Sequence, residues 1–417
     1  MAAQPRVVVV GLGYIGLPTA TVLASAGCHV VGVDLDESKV DAVNRGELPF
    51  VEPDLGHVLS EVVRSGRLSA STTPVAGDVY IVAVPTPFNE DKSADLRYIV
   101  SAAQAIAPHL TGDELVILES TSPPGATQLM ADTILDARPD LSLDGSQGRP
   151  VIHAAHCPER VLPGRIMIEL VQNDRIIGGL TPLAAERAKS LYELFCRGEL
   201  LLTDAVTAEM AKLTENAFRD VNIAFANELS IISDRLGIDV WELIQLSNHH
   251  PRVNILQPGP GVGGHCIAVD PWFIVSAAPE ESRLIRTARE VNDDKALYVV
   301  DRVVQACDGL SGDLTVAALG LAFKANIDDL RESPSREIVA DLAQRLPQAS
   351  VIAVEPHIHE LPQDLAALSN VSLATDADAA IEAADVVLLL VDHNAFTSVT
   401  AAALKGKHVI DTKGLWR

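Results

Sequence analysis

The feature that most constrains this chain is VVVVGLGYIG at residues 7–16, where four valines stop at Gly11, and Gly13 and Gly16 complete a G-x-G-x-x-G spacing. Consecutive β-branched residues favour a strand buried on both faces. The glycines then permit a tight turn, close approach of backbone to a ligand and contact between strand and following helix. Placed between strand and helix, the loop Gly11, Gly13, Tyr14, Ile15 and Gly16 reads as a dinucleotide cradle, because a helix N-terminus holds pyrophosphate with unpaired N–H groups and its dipole. The competing reading is a Gly-rich turn without a cofactor. Asp34, eighteen residues after Gly16, ends the second strand in GVDLD. A carboxylate there accepts hydrogen bonds from the adenosine ribose and repels a 2′-phosphate, which favours NAD over NADP.

Short Val/Ile-rich runs recur at residues 29–33, 79–84, 115–119 and 151–155 with helical segments between them, as parallel strands and crossover helices require. From Asp204 the pattern becomes one long helical stretch that ends at Gly237, a C-cap residue. Strand-like runs return in LTVAALG, SVIAVEP, DVVLLLVD and KHVIDTKG. The expected fold is therefore α/β: two doubly wound Rossmann-like domains joined by a long central helix. Residues 1–203 form the cofactor domain, 204–300 a helical domain, and 301–417 a second nucleotide-type domain. This last domain lacks the complete fingerprint, since Gly320 is followed by Leu321, Ala322 and Phe323. The helical joint is a candidate dimer interface.

A chain of 417 residues with 48% hydrophobic content can fill several cores. Its net charge of −24 and lack of a basic patch argue against nucleic acid or an acidic membrane as partner. Five cysteines without C-x-x-C spacing indicate neither a disulfide framework nor a metal site. With no signal peptide or membrane-length apolar run, the cytoplasm is expected.

Two turns, AVPTPF around Thr86 and ESTSPPGAT around Ser120 and Thr121, follow expected strands and so fall on the edge where open α/β sheets bind ligands. PERVLPG, with Glu159, Arg160 and Val161, follows another. Singly, each reads as structural punctuation. The most unusual segment is NILQPGPGVGGHCIAVDPWF, in which Gly259, Gly261, Gly263 and Gly264 lead to His265, Cys266 and Asp270. Such glycine density suggests main chain closely approached by a ligand, with an accessible thiol beside it. A lone cysteine is more often a small core residue, but this neighbourhood favours a nucleophile. On the long helix, Lys212 and Asn216 share a face with Arg219 close by, a pairing suited to polarising a reacting oxygen, although a solvated face has the same spacing.

GLGYIGLPTA, PTP, EST, PER, KLTEN, GVGGHCIAVDP and GLAFKANIDDLRESP occur in this order, and through them the chain resembles the UDP-glucose/GDP-mannose dehydrogenase superfamily along essentially its whole length. The resemblance implies a four-electron oxidation of a UDP-sugar at C6 with two NAD+, in which Cys266 captures the intermediate aldehyde. A thiol is needed because the aldehyde carbon bears no hydroxyl until a nucleophile adds. By the same matching, Lys212 and Asn216 stabilise oxyanions or relay protons, Asp270 and Thr121 attend the hydrolytic water, and Glu159 precedes the sugar loop. Arg160, Val161, Arg219, His250, Arg252 and Gly263 line the sugar and phosphate pocket. Phe323 and Lys324 hold the UDP end, and Arg331 reaches toward the cofactor or a neighbouring site. The resemblance also implies a homodimer, a cell-surface polysaccharide pathway and no metal.

Relatives acting on UDP-glucose carry a second glutamate where this chain has Pro163. That departure, with Arg160, points to an N-acetylated UDP-hexosamine; the wording of CPERVLPGRIMIEL, KLTENAFRDVNIAFANELS and NHHPRVNILQPGPGVGGHCIAVDPWFIV resembles relatives acting on UDP-N-acetyl-D-mannosamine, with UDP-N-acetyl-D-glucosamine as the alternative. Two rivals stand beside it: a two-electron dehydrogenase of the 6-phosphogluconate or hydroxyacid type, and a non-catalytic nucleotide-sensing protein. The first has no use for the GGHC loop, and Lys212, Asn216, Cys266 and Asp270 together speak against the second.

Overall fold

The computed structural model describes residues 4–417 except 51, 90, 163, 265 and 311, so the expectations placed on Pro163 and His265 lie outside the described residues. The chain divides into two compact units, Met1–Glu215 and Asn216–Arg417.

The first unit is built on one sheet of eight strands: β1 (Arg6–Val10), β2 (His29–Val33), β3 (Leu68–Ser71), β4 (Val79–Val82), β5 (Leu115–Leu118), β6 (His153–His156), β7 (Arg175–Gly179) and β8 (Leu200–Asp204). Their order is β3-β2-β1-β4-β5-β6-β7-β8. All neighbours are parallel except β6 and β7. Alternate residues along each strand feed opposite cores: Val7, Val9, Ile81 and Ile117 pack on one face, and Val8, Val10, Val82 and Val116 on the other. Each such side chain contributes roughly 1.5–3 kcal/mol on full burial. The order reverses between β1 and β4, which opens the crevice where doubly wound sheets bind ligands. Reversal of β7 against β6 leaves the segment after β6, with Glu159 and Arg160, on the carboxyl edge shared by the turns after β4 and β5.

The long helix is one unbroken element, Ala205–Leu236. It stops where expected: Gly237 takes a φ of +68°, and Ile238 N–H returns to the Ser233 carbonyl at 2.9 Å. The second unit contains the helix Arg283–Asp308 and a wholly parallel sheet of β9 (Thr315–Leu319), β10 (Ser350–Val354), β11 (Val371–Ala374), β12 (Val386–Leu389) and β13 (His408–Asp411), ordered β11-β10-β9-β12-β13. The switch point here lies between β9 and β12. Both sheets are of the doubly wound kind that the strand runs implied, extended by β3, β7, β8 and β11, which the hydrophobic pattern did not reveal. No helix among the described residues is long and apolar enough to cross a membrane.

Candidate active site

In the first unit the glycine loop is shaped by contact. A Cβ on Gly11 would stand 2.3 Å from the Ala83 carbonyl oxygen across the β1/β4 crevice, and one on Gly16 would stand 1.8 Å from the Gly11 oxygen. At Gly13 a Cβ would meet nothing within 4 Å. That open side lies next to the start of the helix Gly16–Ser25, whose unpaired N–H groups suit an anion. Leu12 N–H donates to Asp34 Oδ2 at 2.9 Å, Asp36 N–H donates to Asp34 Oδ1, and Lys39 Nζ lies 3.4 Å from the same carboxylate. Asp34 thus stands just past the end of β2, beside the glycine turn. Ile15 is half-buried. Tyr14 is 44% exposed, with its ring centroid 4.3 Å from that of Phe50.

The turns after β4 and β5 meet directly. Thr86 Oγ1 donates to the Thr121 carbonyl at 2.5 Å, and Ser120 Oγ donates to the Val84 carbonyl at 2.7 Å. Beside them, Glu159 accepts from Arg160 N–H at 2.7 Å and from the buried Arg175 guanidinium at 2.8 Å. Arg160 pairs through two nitrogens with Glu215, at 2.8 and 3.1 Å, so its guanidinium is engaged by the long helix. Val161 packs partly buried against the core, and Lys212 is half-buried one helical turn before Asn216.

In the second unit, Asn216 Nδ2 donates to Asp270 Oδ2 at 2.5 Å, and both side chains are buried. Asp270 opens the helix Asp270–Ala277, and its N–H donates to the Cys266 carbonyl at 2.8 Å. Cys266 is a half-buried thiol, and the other four cysteines are buried. The structure therefore unites nucleophile candidate, acid and amide within one turn and one helix face.

The glycines before Cys266 answer to protein rather than open space. A Cβ on Gly263 would fall 2.4 Å from the Glu332 oxygen and 2.8 Å from Phe323 Cβ, and one on Gly264 would fall 3.0 Å from the Phe323 ring. Phe323 thus lies against the loop, and the crowding that sequence alone assigned to a ligand comes from residues 323–334. Lys324 is exposed. Arg331 is exposed and chelates Asp329, at 2.6 Å in the closest contact. Arg219, His250 and Arg252 are exposed as well, the last two on the loop after the helix Val240–Ser247.

Several buried polar residues around these groups carry no local signal. Glu209 accepts from Gly125 N–H, Thr127 N–H and Thr127 Oγ1, capping the helix Ala126–Ala137. Asn227 holds Gly259 N–H at 2.9 Å and donates to Asn292, which in turn donates to Asp220. Arg289 donates to the same Asp220 carboxylate at 2.6 Å. Burial raises the Asp220 pKa, and the Arg289 charge opposes that rise. This network underpins the base of the glycine loop. Glu119 is fully enclosed, taking hydrogen bonds from Thr19 and Tyr192 and lying 3.8 Å from Arg175.

Among the described residues one group has metal-ligand spacing: Glu355, His357 and His393. Two of its members are already engaged. Glu355 directly follows β10 and accepts from the N–H groups of Leu321, Ala322 and His357. His393 Nε2 lies 3.1 Å from Glu355 Oε2, while its Nδ1 accepts from Asn326 N–H.

A dinucleotide cradle at one sheet and a cysteine loop packed on the other describe a nucleotide-dependent oxidoreductase. Residues 5–196 match the NAD binding domain of the UDP-glucose/GDP-mannose dehydrogenase family, residues 206–294 its central domain and residues 317–417 its UDP binding domain. The chain belongs to that family and is an NAD-dependent UDP-sugar dehydrogenase. It is 59% identical over 409 residues to the NDP-N-acetyl-D-galactosaminuronic acid dehydrogenase of Ralstonia nicotianae, covering 98% of this chain and 95% of that one. With the UDP-N-acetyl-D-mannosamine dehydrogenase of Escherichia coli it shares 53% over 417 residues, 98% of each chain. The solved UDP-N-acetyl-mannosamine dehydrogenase of S. aureus superposes with a TM-score of 0.85 at 43% identity, covering 99% of this chain and 96% of that one.

Proposed function

We propose that this enzyme oxidises the C6 alcohol of UDP-N-acetyl-D-mannosamine to the carboxylate in two successive oxidations, through a thioester on Cys266. The observation that carries the reading is the arrangement in which the Cys266 carbonyl is bound by Asp270 N–H while the Asp270 carboxylate is bound by Asn216. Gly11, Gly13, Tyr14, Ile15, Gly16, Asp34, Thr86, Thr121 and Arg331 would hold NAD, which would supply the hydride acceptor for each oxidation.

Lys212 and Asn216 face the oxygen on C6, where the Lys212 amine takes up its proton and the Asn216 amide stabilises the negative charge that develops. Cys266 Sγ adds to the aldehyde carbon and gives its proton to the aldehyde oxygen. The second oxidation removes a hydride and that hydroxyl proton, leaving the thioester. Asp270, assisted in this reading by Thr121 and Glu159, orients water onto the thioester carbon, and the carboxylate leaves as the thiol re-forms. Arg160, Val161, Arg219, His250, Arg252 and Gly263 recognise sugar and phosphates, with Phe323 and Lys324 at the uridine end. Residues 1–203, 204–300 and 301–417 divide these tasks as cofactor, central and UDP domains, and the reaction runs in the cytoplasm.

A panel of UDP-sugars assayed for NADH tests this. Two NADH per UDP-N-acetyl-D-mannosamine are expected, with UDP-glucose and UDP-N-acetyl-D-glucosamine far slower. One NADH per sugar would end the four-electron scheme. The 59% identity to the Ralstonia enzyme favours a second reading, the N-acetyl-D-galactosamine sugar, and UDP-N-acetyl-D-galactosamine belongs in the panel. Wild-type uronate yields from Cys266→Ser would remove the thioester.

The chain acts as a homodimer through the long helix in the same reading. Phe218, Phe225 and Ile232 recur every seven residues on that helix and are 68%, 51% and 46% exposed. Light scattering of Phe225→Asp against wild type tests it: a monomer is expected from the variant alone.

A further inference from the structure

Glu52 takes no part in the chemistry above, yet it is only 5% exposed. Its two carboxylate oxygens are divided between two backbone donors: Gly164 N–H reaches Oε2 and Ile166 N–H reaches Oε1, each at 2.9 Å. Both donors lie just beyond Glu159, Arg160 and Val161, and Ile166 opens the helix Ile166–Gln172. Hydrogen bonds to an ionised acceptor are among the strong ones, and out of water they fix the main chain to which they attach. Two residues before Glu52, Phe50 rests its ring against Tyr14 of the glycine loop. One short stretch therefore touches the cofactor loop with one side chain and the sugar segment with the other.

The front of the sugar segment is fixed independently. Glu159 is clamped by Arg175, and Leu162 N–H donates to Glu169 at 2.8 Å. Glu52 anchors the far end from more than a hundred residues earlier in the chain.

We propose that Glu52 is a positioning residue for the nucleotide sugar: by binding the N–H groups of Gly164 and Ile166 it holds the main chain that follows the sugar-facing residues in the conformation that meets the substrate, from a segment braced on the cofactor loop. This rests on the reading of Glu159–Val161 as sugar-facing. Pre-organised recognition loops bind better because their ordering cost is met before the ligand arrives. In Glu52→Gln one acceptor becomes an NH2 aimed at an N–H, so one buried donor loses its partner and the loop relaxes.

The test compares wild type, Glu52→Gln and Glu52→Asp by steady-state kinetics and by amide hydrogen exchange at Gly164 and Ile166. For Glu52→Gln the KM for the UDP-sugar is expected to rise about tenfold or more, with the KM for NAD within about twofold of wild type and kcat at saturating sugar little changed. Exchange at both amides should accelerate. Glu52→Asp keeps two acceptors one methylene further back, so it should show the same split more weakly, and it carries the test if Glu52→Gln does not fold. Faster exchange with an unchanged sugar KM would overturn the positioning role, as would a loss of kcat and thermal stability without any KM split. If wild type released no NADH from any UDP-sugar, the sugar-facing reading would fall instead, a result that the exchange data cannot mimic.

Discussion

Asn216 hands its amide hydrogen to Asp270 Oδ2 across 2.5 Å, joining the long helix to the helix that follows Cys266. Replacing Asp270 by Asn leaves an amide facing an amide and removes the charge that would orient water. We expect kcat to fall about 10²–10⁴-fold. UDP-sugar affinity, read by calorimetry, should change far less. Equal losses in binding and turnover would reassign Asp270 to substrate binding.

The glycine fingerprint predicts a contrast between neighbours. Gly13→Ala adds a methyl where nothing stands within 4 Å, whereas Gly16→Ala drives one into the Gly11 oxygen. The first should fold normally and raise the KM for NAD, because the methyl occupies the open side of the loop proposed to hold NAD. The second should lose thermal stability, overpacking being worth roughly 1–3 kcal/mol. Equal melting temperatures for the two would contradict this assignment of space.

Glu119 gives the stability a pH dependence with a definite sign. Burial pushes its carboxyl up to about 7, Arg175 pulls it back, and the Glu159 charge adds to the rise. The folded state thus holds a proton that the unfolded chain, with an ordinary carboxyl near 4.3, has released. The stabilisation is complete below that unfolded value and is lost as pH climbs through about 7. Glu119→Gln stays neutral, so its melting temperature should decline less than that of wild type between those two values. Parallel melting curves would exclude Glu119 as the titrating group.

Arg289 and Asp220 form a buried pair beneath the glycine loop. Arg289→Met leaves the Asp220 charge without its cation, a change costing about 3–5 kcal/mol. Adding Asp220→Asn should restore part of the lost melting temperature. Because Asn292 and Asn227 relay this pair to Gly259 N–H, the alkylation rate of Cys266 should change in the single variant and return toward wild type in the double. A rate indifferent to both would detach the pair from the loop.

What could be read in advance follows the range of the interactions involved. β1, β4, β5 and β12 announce themselves because VVVV, VYIV, LVIL and VVLL are buried on both faces and need no alternation. β3 and β11, with LSAS and VSLA, are edge strands whose polar residues look like loop, and β8 is mostly exposed. The long helix and its Gly237 stop were legible from local chemistry alone. Glu52, Glu119, Arg175 and Glu209 were not, since each acts on a partner distant in sequence and only the fold supplies the pairing. The glycines before Cys266 stood out by their density, but the residues that crowd them, Phe323 and Glu332, lie about sixty or more positions further along the chain and could not be read from the local sequence.

Asp34 and Glu355 directly follow the second strand of their respective sheets, each beside the turn glycine of the first, yet they are spent differently. Asp34 keeps a half-buried carboxylate by the open cradle, whereas Glu355 is fully enclosed by three backbone donors and His393. Both of this enzyme's ligands are ribonucleotides joined through a diphosphate, so two equally furnished crevices would confuse them. The second sheet closes its acid off with main chain and His393 where the first leaves its own half open, so the two crevices differ in the one carboxylate each carries beside its turn glycine.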